Sequence, residues 1–353
     1  MASSRGILIL NKFQKVMLGM ALIPALLIVS AGVSLKLLTS PITLAEGARS
    51  FEISSGESLT RVASRLHEEG MLQNPRLLVT FARLMGQTNI KLGEYQLPET
   101  TSDLEILELV LRGEVVTRQL TLVEGTTFAD ALRLLSQQSL KQKLTDKSPA
   151  EVGELLGIDQ ANPEGWLFPD TYQFSKGMTD LDILKGAVAL MRQVLQEEWQ
   201  GRAENLPYKT PYEALIMASI VEKETGVASE RQEIAGVFVR RLQKGMRLQT
   251  DPTVIYGLGD SYDGNIRKRH LRQPTPYNTY VIKGLPPTPI ALPGRAAIHA
   301  ALHPADGDTL FFVAKGDGSH YFSVTLAEHE AAVKRYQLQR KASYRSSPKP
   351  ENQ

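Results

Sequence analysis

The chain has 353 residues, 42% hydrophobic and 22% charged, an ordinary globular composition with room for two domains beside a short terminal element. Its formal net charge of only +2 offers no large basic field and argues against a nucleic-acid partner. Cysteine is absent, which excludes disulfides and thiolate metal sites but leaves the compartment open.

Residues 1–15 carry Arg5, Lys12 and Lys15, and from Val16 to Leu35 no residue is charged. Roughly 20 apolar residues are enough to span a bilayer core. Residues 16–35 therefore read as a single transmembrane helix. The flanking cations put residues 1–15 in the cytoplasm and the body outside. Pro24 can kink such a helix without preventing insertion. The rival is a cleaved signal peptide with a small-residue site at Val29-Ser30-Ala31. The length of the run favours the uncleaved anchor, and both readings export the rest. Residues 36–49 read as a linker.

A strand is expected at Ser50–Ile53, then a turn at Ser55-Gly56. Leu59, Val62, Ala63 and Leu66 recur at helical spacing until Gly70. Asn74-Pro75 opens a second helix with Leu77, Leu78, Phe81 and Leu84 on its apolar face. Gly93 to Leu97 reads as a returning strand, and Ser102 caps a helix through about Leu111. Residues 50–117 thus form a module with βααβ order. The pattern Ile53-x-x-Gly56-x-x-Leu59-x-x-Val62 is echoed by Leu122-x-x-Gly125-x-x-Phe128-x-x-Ala131, either a repeat or shared βα punctuation. Residues 118–205 form a middle α/β segment. It holds the aromatic loop Glu164 to Tyr172 and a long amphipathic helix, opened by Thr179 and Asp182 and running to about Trp199.

Residues 206–340 read as the catalytic domain. Its end is a hairpin: Thr309 to Ala314 and His320 to Val324 flank the turn Gly316-Asp317-Gly318, and a helix follows from Leu326. Residues 341–353 read as a disordered basic tail. The fold class expected is α+β: the transmembrane helix, the βααβ module, then a mixed α+β catalytic domain.

Within that domain Thr210, Pro211 and Glu213 mark a helix start. Ala214 to Val221 are apolar on nearly every face, so this helix is buried. Glu222 and Glu224 arrive at its end. Two residues turn a helix by about 200°, so the two side chains point in nearly opposite directions. Partial burial and the negative end of the helix dipole both raise a carboxyl pKa there, as a general acid for glycosidic cleavage requires. Surface pairing with Lys223 or Arg231 is the competing explanation. Ser229 and Gln232 are expected to cap the next helix, which Gly245 ends. The stretch Met246 to Tyr256 then reads as a loop suited to hydrogen-bonding a polar ligand. The runs Thr275 to Tyr280 and Gly284 to Ile290 combine aromatic rings with an amide, which suits sugar binding as well as turn packing. His299 and His303 are four apart, but no neighbouring residue in the chain supplies a third ligand, so they read as structural and no metal is assigned. No P-loop, Gly-x-Ser-x-Gly or His-Glu-x-x-His motif is present.

Ala218 to Thr225, Leu248 to Tyr256, Tyr277-Asn278-Thr279-Tyr280 and Gly284 to Ile290, in this order and spacing, resemble the YceG-like family of endolytic murein transglycosylases. The Glu164 to Tyr172 loop and the anchor fit as well, and residues 50–117 resemble a LysM-like module. The resemblance spans nearly the whole exported chain. It implies a lytic transglycosylase of the bacterial inner membrane, periplasmic in its catalytic part and needing no cofactor. Peptidoglycan glycan strands would be the substrate, and penicillin-binding-protein synthases are candidate neighbours. The family's acid falls on Glu224, the second acid of Glu-Lys-Glu, and Glu224-Thr225 is similar to the Glu-Ser pair of other lytic transglycosylases. Gln249, Asp251, Tyr256, Tyr277, Asn278 and Tyr280 are the candidate substrate-binding residues. Two other readings remain open: a non-catalytic glycan-binding scaffold, and a hydrolase using Glu224 with Asp251 as second carboxylate.

Overall fold

A computed structural model describes residues 12–338, so the expected basic tail at 341–353 lies outside the described residues. The chain divides into two compact units. One runs through Arg118 and includes Ser175–Gly177; the other holds Gln119–Phe174 and continues from Met178. The middle segment and the catalytic block therefore belong to a single unit rather than to two.

The first unit opens with α1 (Lys12–Leu38), which covers the expected span and contains Pro24. Among the described residues, no helix is long and apolar enough to cross a membrane. Ile23, Leu26, Leu27, Ile28, Val29 and Val33 of α1 are nonetheless exposed, whereas Leu38 is buried. The chain continues through β1 (Ile42–Thr43), β2 (Ser50–Ile53), α2 (Leu59–Glu68), α3 (Pro75–Leu84), β3 (Gly93–Gln96), β4 (Thr100–Thr101) and α4 (Asp103–Arg112). β2 and β3 pair antiparallel, Ser50 opposite Gln96 and Ile53 opposite Gly93, so the order βααβ closes on itself. β1 pairs antiparallel with β4. Local chemistry explains the boundaries. Ser58 caps α2 by accepting the Arg61 N–H, and Gly70 at φ +75° ends it, a conformation that costs glycine little. Ser102 caps α4 in the same way. The core gathers Phe51, Ile53, Val62, Leu66, Leu78, Tyr95, Ile106 and Leu107.

The chain passes into the second unit within β5 (Thr117–Thr121) and continues through α5 (Phe128–Ser136), α6 (Pro149–Leu155), β6 (Thr171–Ser175), whose last residue belongs to the first unit, and α7 (Asp180–Gln200). β5 pairs with β6. Gly125, at φ +74°, makes the turn into α5 as Gly56, at φ +84°, makes the turn into α2, so the echoed sequence pattern gives the same local form twice. Thr179 and Asp182 form the expected capping box of α7. Then come α8 (Pro211–Glu224), α9 (Arg231–Gln243), α10 (Asp251–Leu258), α11 (Lys268–Arg272), α12 (Arg295–Leu302), β7 (Phe311–Ala314), β8 (His320–Ser323) and α13 (Leu326–Val333).

Every residue from Ala214 to Val221 is buried, because α7, α9, α10 and α12 all pack against α8. This helix is the axis of the larger of two hydrophobic clusters. The other gathers Leu122, Phe128, Leu135, Leu167, Phe174 and Leu184 around α5, β6 and α7. β7 and β8 form the expected antiparallel hairpin, with Ala314 opposite His320.

Two expectations need correction. Ser229 does not cap a helix: a 3-10 turn, Ala228–Glu230, precedes α9, and α9 has no side-chain cap. The stretch Met246 to Tyr256 is a loop only to Thr250, since Asp251 begins α10 with Pro252 in its first turn. Proline is tolerated there because the first helical N–H groups have no partner within the helix.

Candidate active site

Glu222 and Glu224 diverge as the helical rotation requires. Glu222 Oε2 accepts the Gly294 N–H at 2.9 Å just before α12, and its other oxygen lies 3.8 Å from Arg231. Burial raises its pKa, partly opposed by that N–H. Glu224 faces the other way, into a cavity of about 600 Å³. The cavity is lined by Arg241 from α9, Gln249, Thr250, Asp251 and Tyr280 from the loops and α10, His320 from the hairpin and His329 from α13.

Glu224 keeps some solvent access through this cavity, yet its carboxyl is enclosed by protein. Desolvation raises its pKa. The Thr250 hydroxyl, donating to Oε2 at 2.6 Å, and the charges of His320 and Arg241 oppose the rise, while Asp251 adds to it. The result is a carboxyl that holds its proton above the ordinary glutamate range while keeping partners for the ionised form.

Thr250 is held by a buried hydroxyl cluster. Its N–H donates to Thr279 Oγ1 at 3.1 Å, and the Thr253 hydroxyl donates to its carbonyl at 2.8 Å. Gln249, immediately before, sits at φ +54° and donates its N–H to the Thr279 carbonyl at 3.2 Å. A left-handed conformation at a residue with a side chain costs about 1–2 kcal/mol, here maintained by the surrounding loop at the cavity wall. Arg241 donates through Nε to the Leu310 carbonyl at 2.6 Å and through Nη1 to the Leu248 carbonyl at 2.8 Å, tying α9 to both cavity loops.

Of the residues singled out from sequence, Glu224, Gln249, Asp251 and Tyr280 line one cavity. The Tyr280 hydroxyl donates to Asp251 Oδ1 at 2.7 Å. Asn278 is buried and acts within the protein. Its Nδ2 donates to the His270 and Gln273 carbonyls, and its Oδ1 accepts the Tyr280 N–H at 3.0 Å, which sets the loop that carries Tyr280. Tyr256 and Tyr277 lie elsewhere, with ring centroids 5.0 Å apart. The Tyr256 hydroxyl donates to Glu164 Oε2 at 3.2 Å, and the Tyr277 hydroxyl meets Thr288 Oγ1 at 2.9 Å. Glu164 is buried, and desolvation pushes it up to about 7 against hydrogen bonds from Phe128, Tyr256 and Gly165.

Arg241, His320 and His329 were not visible from sequence as site residues, and Thr250 fell within the expected ligand-binding stretch without being singled out. Nothing in the linear order links α9 to the hairpin. The histidine pair gains an acidic neighbour. Folding brings Glu198 of α7 to His299 and His303, with ligand-type atoms within 4.8 Å of one another. Protein groups already occupy these atoms: Glu198 receives His299 Nδ1 at 2.9 Å and Arg295 Nη1 at 3.1 Å, and His303 Nε2 meets the Gly201 carbonyl at 2.7 Å.

A buried helix that delivers a single carboxyl into a polar cavity walled by loops and a hairpin defines the class of site. The YceG-like family matches residues 51–335, and the chain belongs to that family. A Bacillus subtilis (strain 168) protein named endolytic murein transglycosylase is 34% identical over 304 residues, covering 80% of this chain and 83% of that one. A protein of the same name from Streptococcus pneumoniae strain D39 is 27% identical over 323 residues, covering 80% of this chain and 57% of its own length. Among solved structures, a 2.6 Å crystal structure of a YceG-like protein from Listeria monocytogenes is similar at 30% identity and a TM-score of 0.50, covering 83% of this chain and 99% of that one.

Proposed function

We propose that this chain is an endolytic peptidoglycan lytic transglycosylase, cleaving the MurNAc-GlcNAc β-1,4 bond within glycan strands, with Glu224 as its acid and base. The observation that carries the reading is the desolvated Glu224 carboxyl at the end of α8, opening into the cavity with Thr250 on its oxygen. Protonated Glu224 gives its proton to the leaving glycosidic oxygen as the C1–O bond breaks. Its carboxylate then takes the proton of the same muramoyl residue's 6-hydroxyl as that oxygen bonds to C1. The product is a 1,6-anhydro end and no water is consumed. Intramolecular attack gives the hydroxyl a large effective concentration. Gln249, Asp251 and Tyr280 hydrogen-bond the sugars in this reading, which their position on the cavity wall supports. Asn278 acts through the loop that carries Tyr280, while Tyr256 and Tyr277 remain candidates for sugar contacts outside this cavity.

The exposed apolar residues of α1, together with the uncharged run from Val16 to Leu35, support an anchor in the inner membrane with the catalytic part in the periplasm. The βααβ order of residues 50–117 supports a LysM-like module that holds glycan. An enzyme so placed suits termination of nascent strands beside the penicillin-binding-protein synthases that extend them.

Asp251 lines the same cavity as Glu224, which favours a second reading, hydrolysis with two carboxylates. Product analysis on purified glycan strands separates the readings. Anhydro ends support the transglycosylase, reducing ends the hydrolase, and binding without cleavage leaves a scaffold.

A further inference from the structure

The cavity wall carries His320, which the reaction above leaves unused, and Glu230 holds it from outside the wall. His320 opens β8, and Glu230 ends the 3-10 turn before α9. One Glu230 oxygen accepts the His320 backbone N–H at 2.9 Å, and the other accepts the ring Nδ1–H at 2.8 Å. The ring is further fixed by Phe312, edge-on at 5.4 Å, and by Phe322 at 6.4 Å. Nδ1 is thus committed to a carboxylate, which fixes the plane of the ring at the cavity wall. His320 and Glu224 line the same cavity.

We propose that Glu230 and His320 are a positioning pair for the acid. Glu230 holds the imidazole toward the cavity, and the ring's positive charge, when protonated, stabilises the carboxylate that Glu224 becomes after giving up its proton. The inference rests on the reading of Glu224 as the acid. His320 exchanges no proton with the glycan: the proton leaves Glu224 for the glycosidic oxygen and returns from the 6-hydroxyl. Burial alone would make Glu224 a reluctant donor, and the charge of His320 acts against that burial. Other charged groups reach the cavity from each packed element. Arg241 on α9 is tied to loop carbonyls, Asp251 on α10 is held by Tyr280, and His329 on α13 stacks on Phe311 at 5.3 Å. On the hairpin itself Lys315 and Asp317 face each other at 3.9 Å. Among these described groups, His320 is the one whose ring a carboxylate orients, through both its backbone N–H and Nδ1.

The test is the pH profile of anhydro-product release by the purified full chain carrying His320→Gln, Glu230→Gln, both, or His320→Lys. A charge-assisted contact of this kind corresponds to about 10- to 100-fold in turnover. His320→Gln should lower kcat by that factor with KM nearly unchanged. It should also move the alkaline limb to higher pH, because Glu224 has lost an opposing charge. His320→Lys should return the limb toward its wild-type position. Glu230→Gln should act in the same direction, and the double variant should be no worse than the worse single one, because the two act as a unit. Glu230→Gln leaves the imidazole in place and carries the test if His320→Gln does not fold. An unmoved limb with wild-type kcat, or single effects that simply add, would overturn the pair. Glu224→Gln run alongside keeps the two readings apart. If it cleaves normally, the acid assignment falls; if it is inactive while His320→Gln is normal, only the pair falls.

Discussion

At the scale of the residue, two glutamates two positions apart have separate fates. Glu222 is consumed by structure, with the Gly294 N–H on one oxygen and Arg231 near the other. Glu224 has one hydroxyl donor and open space before it. Glu224→Gln keeps the shape and the Thr250 contact but removes the transferable proton, so turnover should fall by about 10²- to 10⁴-fold, while glycan binding and thermal stability persist. Glu222→Gln keeps an acceptor for Gly294 and should leave turnover within a few-fold, at some cost in melting temperature. Cleavage abolished by the second change and not by the first would mean that the wrong glutamate has been named. The wild-type rate should fall as pH rises through the raised pKa of Glu224, since the acid form is then lost. A rate that climbs through that limb would contradict an acid role.

Elements are joined by a different carboxyl. Glu164, in the aromatic loop, accepts the Phe128 N–H at the start of α5 at 2.8 Å and the Tyr256 hydroxyl of α10 at 3.2 Å. Its folded pKa of about 7 lies above the ordinary value of 4.5. Between those values the folded state holds a proton that the unfolded chain has released. The associated stability is therefore full below pH 4.5 and lost as pH rises to about 7, by roughly 3 kcal/mol over the window. Glu164→Gln removes the titration, so its melting temperature should decline less than that of the wild type between these pH values. Parallel curves for the two proteins would show that Glu164 does not titrate in this window. The loop's role as a joint was only partly legible in sequence. The aromatic loop stands out along the chain, but the partners of Glu164 lie 36 and 92 residues away.

At the scale of the molecule, the proposed anchor and the proposed glycan-holding role of the βααβ module can each be tested. A reporter fused after Leu338 should be active only in the periplasm, and cytoplasmic activity there would overturn the topology. Deleting Ser50 to Val116 while keeping α1 should weaken glycan binding or shift the lengths of the products. If both stay unchanged, the module has another role.

Much of the local form follows from the sequence by itself. Glycines that turn left-handed, Ser and Thr caps, Pro at helix starts and the 3.6-residue apolar rows each act within a few residues, so they place α2, α3, α7, α8 and the β7–β8 hairpin. The buried run Ala214 to Val221 likewise ends in two carboxyls whose divergence is a matter of helical rotation. The tertiary structure alone decided which partners those carboxyls meet. Thr250 on Glu224, Gly294 on Glu222, Glu230 on His320 and Glu198 between two histidines are separated by 26, 72, 90 and 101 residues. The α10 start at Asp251 is not of this kind, since Pro252 in its first turn is a local helix-start signal. Contacts of that range depend on how α8, α9, α12 and the hairpin pack around one another, and packing between distant elements leaves no periodic trace along the chain.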